Sequence, residues 1–381
     1  MKILFIIDKM KNYAGIERIL TCKMNYMASQ TSHDVYLMTY EQEKQTLPFP
    51  IDKNIIHKSI DVMMPRREEM TFLQWLKSYY VSRHRFLHQF NSLTKEIRPD
   101  IVVSTVYSYQ VLDIIIKTCH KKGIKTVMES HTQGETVTLS HKFKYNKYLF
   151  RLFLLWDYHI LSTLRHCDCL VTLTKQDIPF WHNYAKQIEV IPNMLTIFPK
   201  RVSNYNAKRV ISAGRYMSEK GFDMLIEAWR MLPKELNDWH LYIFGNGERS
   251  TYQEIVDRYH MQETIHLMPA TNNIAEEFSK SSLYVMSSRY EGFGLVLAEA
   301  MSCGLPCVSF DCPYGPREII EDGKDGLLAK YKDIKDLAHK LAQLMSNKEL
   351  RQSMGEQAIK NITRYEPQTI MNQWINLFET L

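Results

Sequence analysis

The stretch from Ser287 to Cys312 reads SSRYEGFGLVLAEAMSCGLPCVSFDC and joins a strand end, a glycine-loosened turn and an apolar helix. Glu291 and Glu299 lie eight residues apart in it, and Gly292 and Gly294 follow the first glutamate. A turn that leads into a helix N-terminus presents free N–H groups and the positive end of the helix dipole, so it can hold an anion such as a phosphate. An ordinary core helix with solvent-facing glutamates would give a similar sequence.

The composition indicates a folded protein of more than one domain with a modest basic excess. The chain has 381 residues, of which 45% are hydrophobic and 24% charged, and its formal net charge is +6. One hydrophobic core rarely serves so long a chain, so we expect two domains. The basic excess lies before Asn193, which favours an acidic partner such as a membrane surface or a phosphorylated substrate. Nucleic acid is not expected, because no nucleic-acid-binding module is recognisable.

The seven cysteines are odd in number and form no C-x-x-C pair. Neither a disulfide framework nor a zinc site is therefore expected, and a reducing cytoplasm suits this pattern. The most apolar segments fall short of the roughly 20 residues that a membrane span needs. We expect a cytoplasmic protein.

Short β-rich runs alternate with longer helical patterns from Ile3–Ile7 to the end of the chain. Such alternation is typical of βαβ units and mostly parallel sheets. The pattern lapses once, at Pro192–Asn206, into a segment rich in Pro, Asn and Ser that is a plausible linker. We therefore predict an α/β protein with two doubly wound, Rossmann-like domains, at residues 1–195 and 205–364. Parallel sheets bind ligands at the carboxyl ends of their strands, so we expect the active site in a cleft between these domains.

A second stretch, AGRYMSEKGF at 213–222, places two cations at a strand end. Arg215 and Lys220 straddle a short loop, and Gly221 opens the next helix. An Arg that can grip two oxygens and a Lys that acts as a point charge suit a diphosphate. Loop cations that are simply solvated are the plainer interpretation, but a strand-end position matching that of Glu291 favours the functional one.

Two further strand ends lie in the N-terminal half. Gly15 opens the first helix and would let the backbone approach a ligand closely, although the G-x-G-x-x-G pattern of dinucleotide binding is absent there. His131 can donate a hydrogen bond to a sugar hydroxyl or to charge developing on a leaving group. A lone histidine is more often only a polar residue, so its position alone singles it out.

The cation pair, the E-x7-E pair in YEGFGLVLAEAMSCGLPCV, and the later segments GPREII and DGLL closely resemble the retaining glycosyltransferases of family 4. Those enzymes have the GT-B fold, in which two Rossmann-like domains face each other across a cleft. The resemblance is dense from about Val210 to Ala329 and looser before that. One departure is Met268-Pro269-Ala270, where the family commonly has a glycine. The residues that would bind the base therefore stay open.

The resemblance implies a role for each candidate residue. In that family the Arg and Lys hold the donor diphosphate, the first Glu (Glu291) contacts the donor sugar, the second Glu (Glu299) binds the ribose, and the turn's backbone meets the phosphates. The catalytic candidates are Glu291, His131, Arg215 and Lys220. The donor-binding candidates are Gly15, Arg215, Lys220, Phe293, Gly294, Leu295 and Glu299.

The implied activity is transfer of a hexose or N-acetylhexosamine from a UDP-sugar to a saccharide acceptor with retention of configuration. Capsule, O-antigen or exopolysaccharide synthesis in bacteria is the implied setting, and lipid-linked saccharides are common acceptors. The UDP-sugar is a substrate, and no cofactor is expected. No metal is expected either, because the chain has no D-x-D and the two cations can stabilise the leaving diphosphate.

The resemblance also implies that a terminal helix, 365–381, crosses back to the first domain. Two alternatives stay open. One is another GT-B activity, such as a sugar-nucleotide epimerase or a phosphorylase. The other is a non-catalytic protein that binds nucleotide sugars.

The basic N-terminal half also suggests a membrane contact. His141–Arg151 interleaves cations with aromatic residues, a composition that suits anionic lipid headgroups at the inner face of the membrane. Core aromatics behind a solvated charged face would explain it equally simply. We expect the protein to float with anionic vesicles and to be released by salt; no salt-sensitive binding in that flotation assay would contradict a peripheral membrane location.

Overall fold

The computed structural model describes residues 1–11, 14–65, 70–105, 110–137, 147–198 and 203–381. They form two compact units. The first unit is Met1–Pro192 together with Ile370–Leu381, and the second is Asn193–Thr369. The chain passes from one unit to the other within the segment rich in Pro, Asn and Ser.

The first unit is built on a parallel sheet of seven strands among its described residues. The strands are β1 (Lys2–Ile7), β2 (Asp34–Thr39), β3 (Ile56–Ser59), β4 (Ile101–Thr105), β5 (Lys125–Ser130), β6 (Cys169–Thr172) and β7 (Ile188–Val190). Their order in the sheet is β3-β2-β1-β4-β5-β6-β7. The helices are α1 (Gly15–Gln30), α2 (Phe72–Ile97), α3 (Leu112–Lys122), α4 (Gly134–Val137), α5 (Lys147–Leu161) and α6 (Ile178–Trp181).

Strand β3 has no counterpart in the sequence prediction. It reads IHKS, is exposed at three of its four positions and pairs only with β2 at the edge of the sheet. An edge strand of this kind buries too little to show the apolar run that marks the other strands. Its polar sequence therefore resembled a loop.

The second unit has six parallel strands in the order β10-β9-β8-β11-β12-β13. They are β8 (Arg209–Ala213), β9 (His240–Gly245), β10 (Ile265–Pro269), β11 (Leu283–Met286), β12 (Cys307–Phe310) and β13 (Gly326–Ala329). The helices are α7 (Phe222–Arg230), α8 (Ser250–Arg258), α9 (Ile274–Ser279), α10 (Leu295–Ser302), α11 (Pro316–Ile319), α12 (Ile334–Ser346) and α13 (Lys348–Ile362), and the chain ends with α14 (Pro367–Thr380). The predicted α/β class with two Rossmann-like sheets is confirmed.

The pairing of β8 with β11 positions the candidate site. The two strands are neighbours, with Leu283 opposite Val210 and Tyr284 opposite Ile211. The strand order reverses between them, since β9 and β10 lie on one side and β12 and β13 on the other. Ligands bind at such a switch point because the loops diverge there at the carboxyl ends of the strands. The loops after β8 and β11 are the two stretches that the sequence singled out.

The basic and aromatic stretch at 141–151 lies largely outside the described residues, which resume at 147. Its contact with a membrane surface stays a prediction. No helix in the described part of the chain is long and apolar enough to cross a membrane.

Helix α14 packs one apolar face into the protein. Ile370, Met371, Trp374, Leu377 and Phe378 are buried, and the rings of Trp374 and Phe378 lie 5.6 Å apart. From Ile370 onward the helix belongs to the first unit. The last residues of the chain therefore belong to the same compact unit as the first strand.

We expect Phe378→Ala to destabilise the first unit by about 3–5 kcal/mol, because it removes a large buried ring. The matched control is Asn372→Ala, since Asn372 is exposed on the same helix. Hydrogen exchange measured by mass spectrometry should show lost protection in peptides of Met1–Pro192 for the first variant and little change for the second. Loss confined to Asn193–Thr369 would contradict this assignment of the helix.

Candidate functional site

The turn between β11 and α10 has the form expected of an anion-holding turn. Gly294 is the N-cap residue of α10, with φ +93° and ψ 45° in the left-handed region. Leu295 is the first residue of the helix, and Phe293 is buried beside it. The first N–H groups of a helix have no partner within it and carry the positive end of its dipole. The backbone here can therefore receive a phosphate.

Lys220 and Glu291 meet directly at this turn. Nζ of Lys220 lies 2.8 Å from Oε1 of Glu291, and Oγ of Ser288 donates a hydrogen bond of 2.5 Å to the same oxygen. The side chains of Lys220 and Glu291 are 22% and 10% exposed. Sequence reasoning assigned these two residues to separate ligands, a diphosphate and a sugar, and did not predict that they pair. In the structure each one balances the charge of the other.

Arg215 lies on the same loop as Lys220 but points largely into solvent. Its side chain is 65% exposed, and its guanidinium is 3.4 Å from Oε1 of Glu219. The loop below it is fixed by Tyr216, whose hydroxyl donates to the carbonyl oxygens of Ile243 and Met268. Arg215 is therefore an exposed cation on a firmly held backbone, as a ligand-gripping residue needs.

Arg289 joins the two loops, and the sequence reasoning missed it. Its guanidinium binds both oxygens of Asp223 at the start of α7, at 2.9 and 2.6 Å, and donates to the carbonyl oxygen of Ser218. Burial alone would raise the pKa of Asp223, but Arg289 outweighs it and the pKa is lowered. The tie fixes the loop that carries Lys220 against the turn that carries Glu291. The only signal in the sequence was an arginine two residues before that glutamate.

Glu299 is 1% exposed near the middle of α10. Its Oε1 accepts a hydrogen bond of 2.6 Å from the hydroxyl of Thr196. Burial raises the pKa of the Tyr284 phenol, and Cys307, Glu291 and Glu299 raise it further. Glu291 and Glu299 therefore both raise the pKa of the same β11 side chain, that of Tyr284. A buried carboxylate with an oxygen already held by a hydroxyl is suited to accept hydrogen bonds from a polyol.

The other two candidates lie in the first unit. Gly15 is exposed and begins α1, while the two residues at 12 and 13 fall outside the described ranges. His131 follows β5 and is buried, with Nε2 3.3 Å from Oε2 of Glu129. Lys23 of α1 pairs with the same carboxylate. Nothing in the sequence pattern suggested that this lysine is buried.

Comparison with known protein families gives a match to most of the second unit. Residues 193–361 match the family described as glycosyl transferases group 1. The expected resemblance to glycosyltransferases with the GT-B fold is thereby confirmed.

Two relatives and one solved structure illustrate how far the similarity extends. The amylovoran biosynthesis glycosyltransferase AmsD of Erwinia amylovora is 24% identical, with 98% of each chain covered. An uncharacterized glycosyltransferase of Haemophilus influenzae is 31% identical over 212 residues, and the match spans 55% of this chain and 60% of that protein. A point mutant of S. aureus TarM, crystallised with Fondaparinux, α-GlcNAc-glycerol and UDP, covers 99% of both chains with a TM-score of 0.76 at 17% identity. That last likeness shows the fold.

The loop at Lys220 depends on a glycine. Gly221 has φ +61°, and a Cβ atom there would lie 2.1 Å from the carbonyl oxygen of Ser287. Gly323, in the same unit, has φ +80° and nothing within 4 Å of its Cβ position. An alanine at position 323 would therefore meet backbone strain alone, whereas an alanine at position 221 would meet both strain and a steric clash.

We expect Gly323→Ala to lower the free energy of unfolding by about 1 kcal/mol through left-handed strain alone. Gly221→Ala should lower it by about 2 kcal/mol more, because the methyl group meets the Ser287 backbone. Urea unfolding followed by hydrogen exchange in peptides of Asn193–Thr369 measures the difference. Equal effects of the two variants would show that the loop yields easily.

Proposed function

We propose that this protein transfers a hexose or N-acetylhexosamine from a UDP-sugar to a saccharide acceptor, with retention of configuration, in the synthesis of a bacterial surface polysaccharide. The observation that carries the proposal is the pairing of Lys220 with Glu291 beside the N-terminus of α10. The family match of this unit supports it, as does the amylovoran biosynthesis role of AmsD. UDP in the TarM structure supports the choice of nucleotide.

The donor diphosphate would lie over the N-terminus of α10, between its N–H groups and Lys220. In the pair as it stands, Lys220 and Glu291 neutralise each other at 2.8 Å. A bound diphosphate would draw Lys220 toward its own oxygens, and Arg215, which is exposed, would close on it from solvent. Glu291 would then turn to the hydroxyls of the sugar. The site would thus exchange one ion pair for two sets of ligand contacts.

Breaking the bond between the sugar and the diphosphate leaves negative charge on the departing oxygen. Fixed cations and helix N–H groups aimed at that oxygen lower the barrier, because they require no reorganisation as the charge develops. This arrangement supports a reaction without a divalent metal, and the proposed step needs no cofactor. The acceptor hydroxyl would attack from the face that the diphosphate leaves, and a phosphate oxygen would take its proton. Detection of a covalent sugar–enzyme adduct by mass spectrometry would contradict this step.

The remaining candidate residues would contact the ribose and the donor sugar. Glu299 would accept hydrogen bonds from the ribose beside the hydroxyl of Thr196. His131 would contact a hydroxyl of the donor sugar, and Gly15 would allow the backbone to approach it closely. The acceptor would be a saccharide carried by a lipid.

We expect Lys220→Ala, Arg215→Ala and Glu291→Ala each to lower the rate of transfer about a hundredfold or more while the protein stays folded. Lys208→Ala is the matched control, since Lys208 is an exposed cation of the same unit that pairs with Asp238. Circular dichroism checks the fold, and transfer from radiolabelled donors measures the rate. Full activity in one of the three variants would remove that residue from the site.

Product analysis in the same assay tests the reaction itself. A labelled saccharide with the anomeric configuration of the donor, formed only when acceptor is present, is the expected result. An epimerised nucleotide sugar formed without acceptor would point to an epimerase, and a sugar phosphate formed with inorganic phosphate would point to a phosphorylase. Tight binding of UDP with no turnover would indicate a non-catalytic protein.

A further inference from the structure

A buried polar cluster in the first unit surrounds the candidate histidine. Lys23 projects from α1, Glu129 is near the end of β5 and His131 follows that strand. Their side chains are only 3%, 4% and 3% exposed. One oxygen, Oε2 of Glu129, contacts Nζ of Lys23 and lies 3.3 Å from Nε2 of His131. The indole of Trp374, on α14, covers Lys23 with its ring centroid 3.6 Å from Nζ.

Stability is a weak reason for such a cluster. The desolvation of a buried ion pair often exceeds its Coulombic gain, and well-packed apolar residues can replace it without loss. Burial lowers the pKa of Lys23, although Glu129 opposes the fall. Burial would raise the pKa of Glu129, but the ammonium group of Lys23 outweighs it, and the pKa is lowered to about 2. The carboxylate is therefore kept ionised next to the histidine.

The carboxylate determines which ring nitrogen carries the proton. Nε2 faces Oε2 at ion-pair distance, though off the line of an ideal hydrogen bond. A nitrogen lone pair aimed at a carboxylate would be repelled, whereas an N–H is attracted, and the partner of one ring nitrogen sets the tautomer. In the neutral ring the proton thus sits on Nε2. Nδ1 is left as an acceptor, and it is buried without a hydrogen-bond partner among the described residues.

Lys23 and His131 share the carboxylate of Glu129. The face of Trp374 stabilises the ammonium through a cation–π contact. The next carboxylate at this edge, Asp177, is held by the Gly134 N–H at 3.0 Å and the Trp181 indole at 2.6 Å.

We propose that Glu129 is a positioning residue that orients His131 with a proton on Nε2 and with Nδ1 free to accept a hydrogen bond, and that Lys23 holds the Glu129 carboxylate in place. Trp374 caps the pair from the last helix of the chain. The inference rests on the proposed function in that a sugar hydroxyl is the donor to Nδ1. His131 would then accept a hydrogen bond, whereas its sequence position had suggested that it donates one.

The test reads the ring directly, with no donor or acceptor present. In protein labelled with ¹⁵N-histidine, the His131 signals are those that His131→Gln removes. We expect a protonated Nε2 and an unprotonated Nδ1 in the wild type. A proton on Nδ1 in the wild type would overturn the proposal.

A double variant tests the proposal without leaving an unpaired buried charge that could unfold the protein. Lys23→Met/Glu129→Gln removes both charges at similar volume and leaves no buried charge unpaired. Arg83→Met/Asp113→Asn is the matched control, because it removes another largely buried ion pair of the same unit, between α2 and α3. The first pair of changes should mix the two tautomers of His131, and the control should leave the ring as it is. A single Nε2–H tautomer in both double variants would overturn the role of Glu129.

The kinetic measurement then separates this inference from the proposed function. We expect Lys23→Met/Glu129→Gln to lower kcat about tenfold, the effect of one lost neutral hydrogen bond, with a smaller change in KM. The control should transfer at the wild-type rate. A mixed ring with wild-type kcat would overturn the contact of His131 with substrate, whereas the expected ring states in a protein with no transfer activity would overturn the proposed function and leave the positioning intact.

Discussion

The parallel pairing of β8 with β11 is the constraint on which the candidate site depends. Strands that run side by side in the same direction end at the same edge of the sheet, so the loops that follow them must share that edge. Here one loop carries Lys220 and the other carries Glu291, 71 residues apart in sequence. Arg289 and Asp223 then tie the loops together with two hydrogen bonds. The separation of cation and carboxylate is thus set by backbone pairing and held by a second ion pair.

Within that frame the charges of the site balance one another. A lysine with no anion near it would repel the helix N-terminus, and a carboxylate alone would occupy the place of a phosphate. Pairing the two at 2.8 Å removes both problems until a ligand competes for them. The partial exposure of Lys220, at 22%, leaves it open to such competition. Arg215 is far more exposed and is balanced only loosely by Glu219 at 3.4 Å.

The first unit handles charge in a different way. Lys23, Glu129 and His131 are almost completely buried, so water screens their interactions little. The C-terminal helix completes this cluster with the ring of Trp374. The beginning and the end of the chain therefore meet at one polar group. The last helix thus contacts, through Lys23, the cluster that contains His131.

The sequence by itself determined the fold class and the location of the two loops of the candidate site. The apolar run Ile3–Ile7 forms most of β1 and is buried throughout, because a strand covered on both faces must be apolar along its length. The turn before α10 could also be recognised from the sequence, because glycine tolerates backbone conformations that other residues rarely adopt.

Tertiary structure decided what local sequence does not encode. The edge strand β3 is mostly exposed and carries no apolar signature. The contacts of Arg289 with Asp223 and of Lys23 with Glu129 join residues far apart in the chain. The presence of a lysine in the sequence does not show whether its side chain is solvated or buried. Sheet order sets those distances, and sheet order results from the packing of the whole chain. The sequence could therefore name Lys220, Glu291 and His131, but only the folded structure showed which residues they contact.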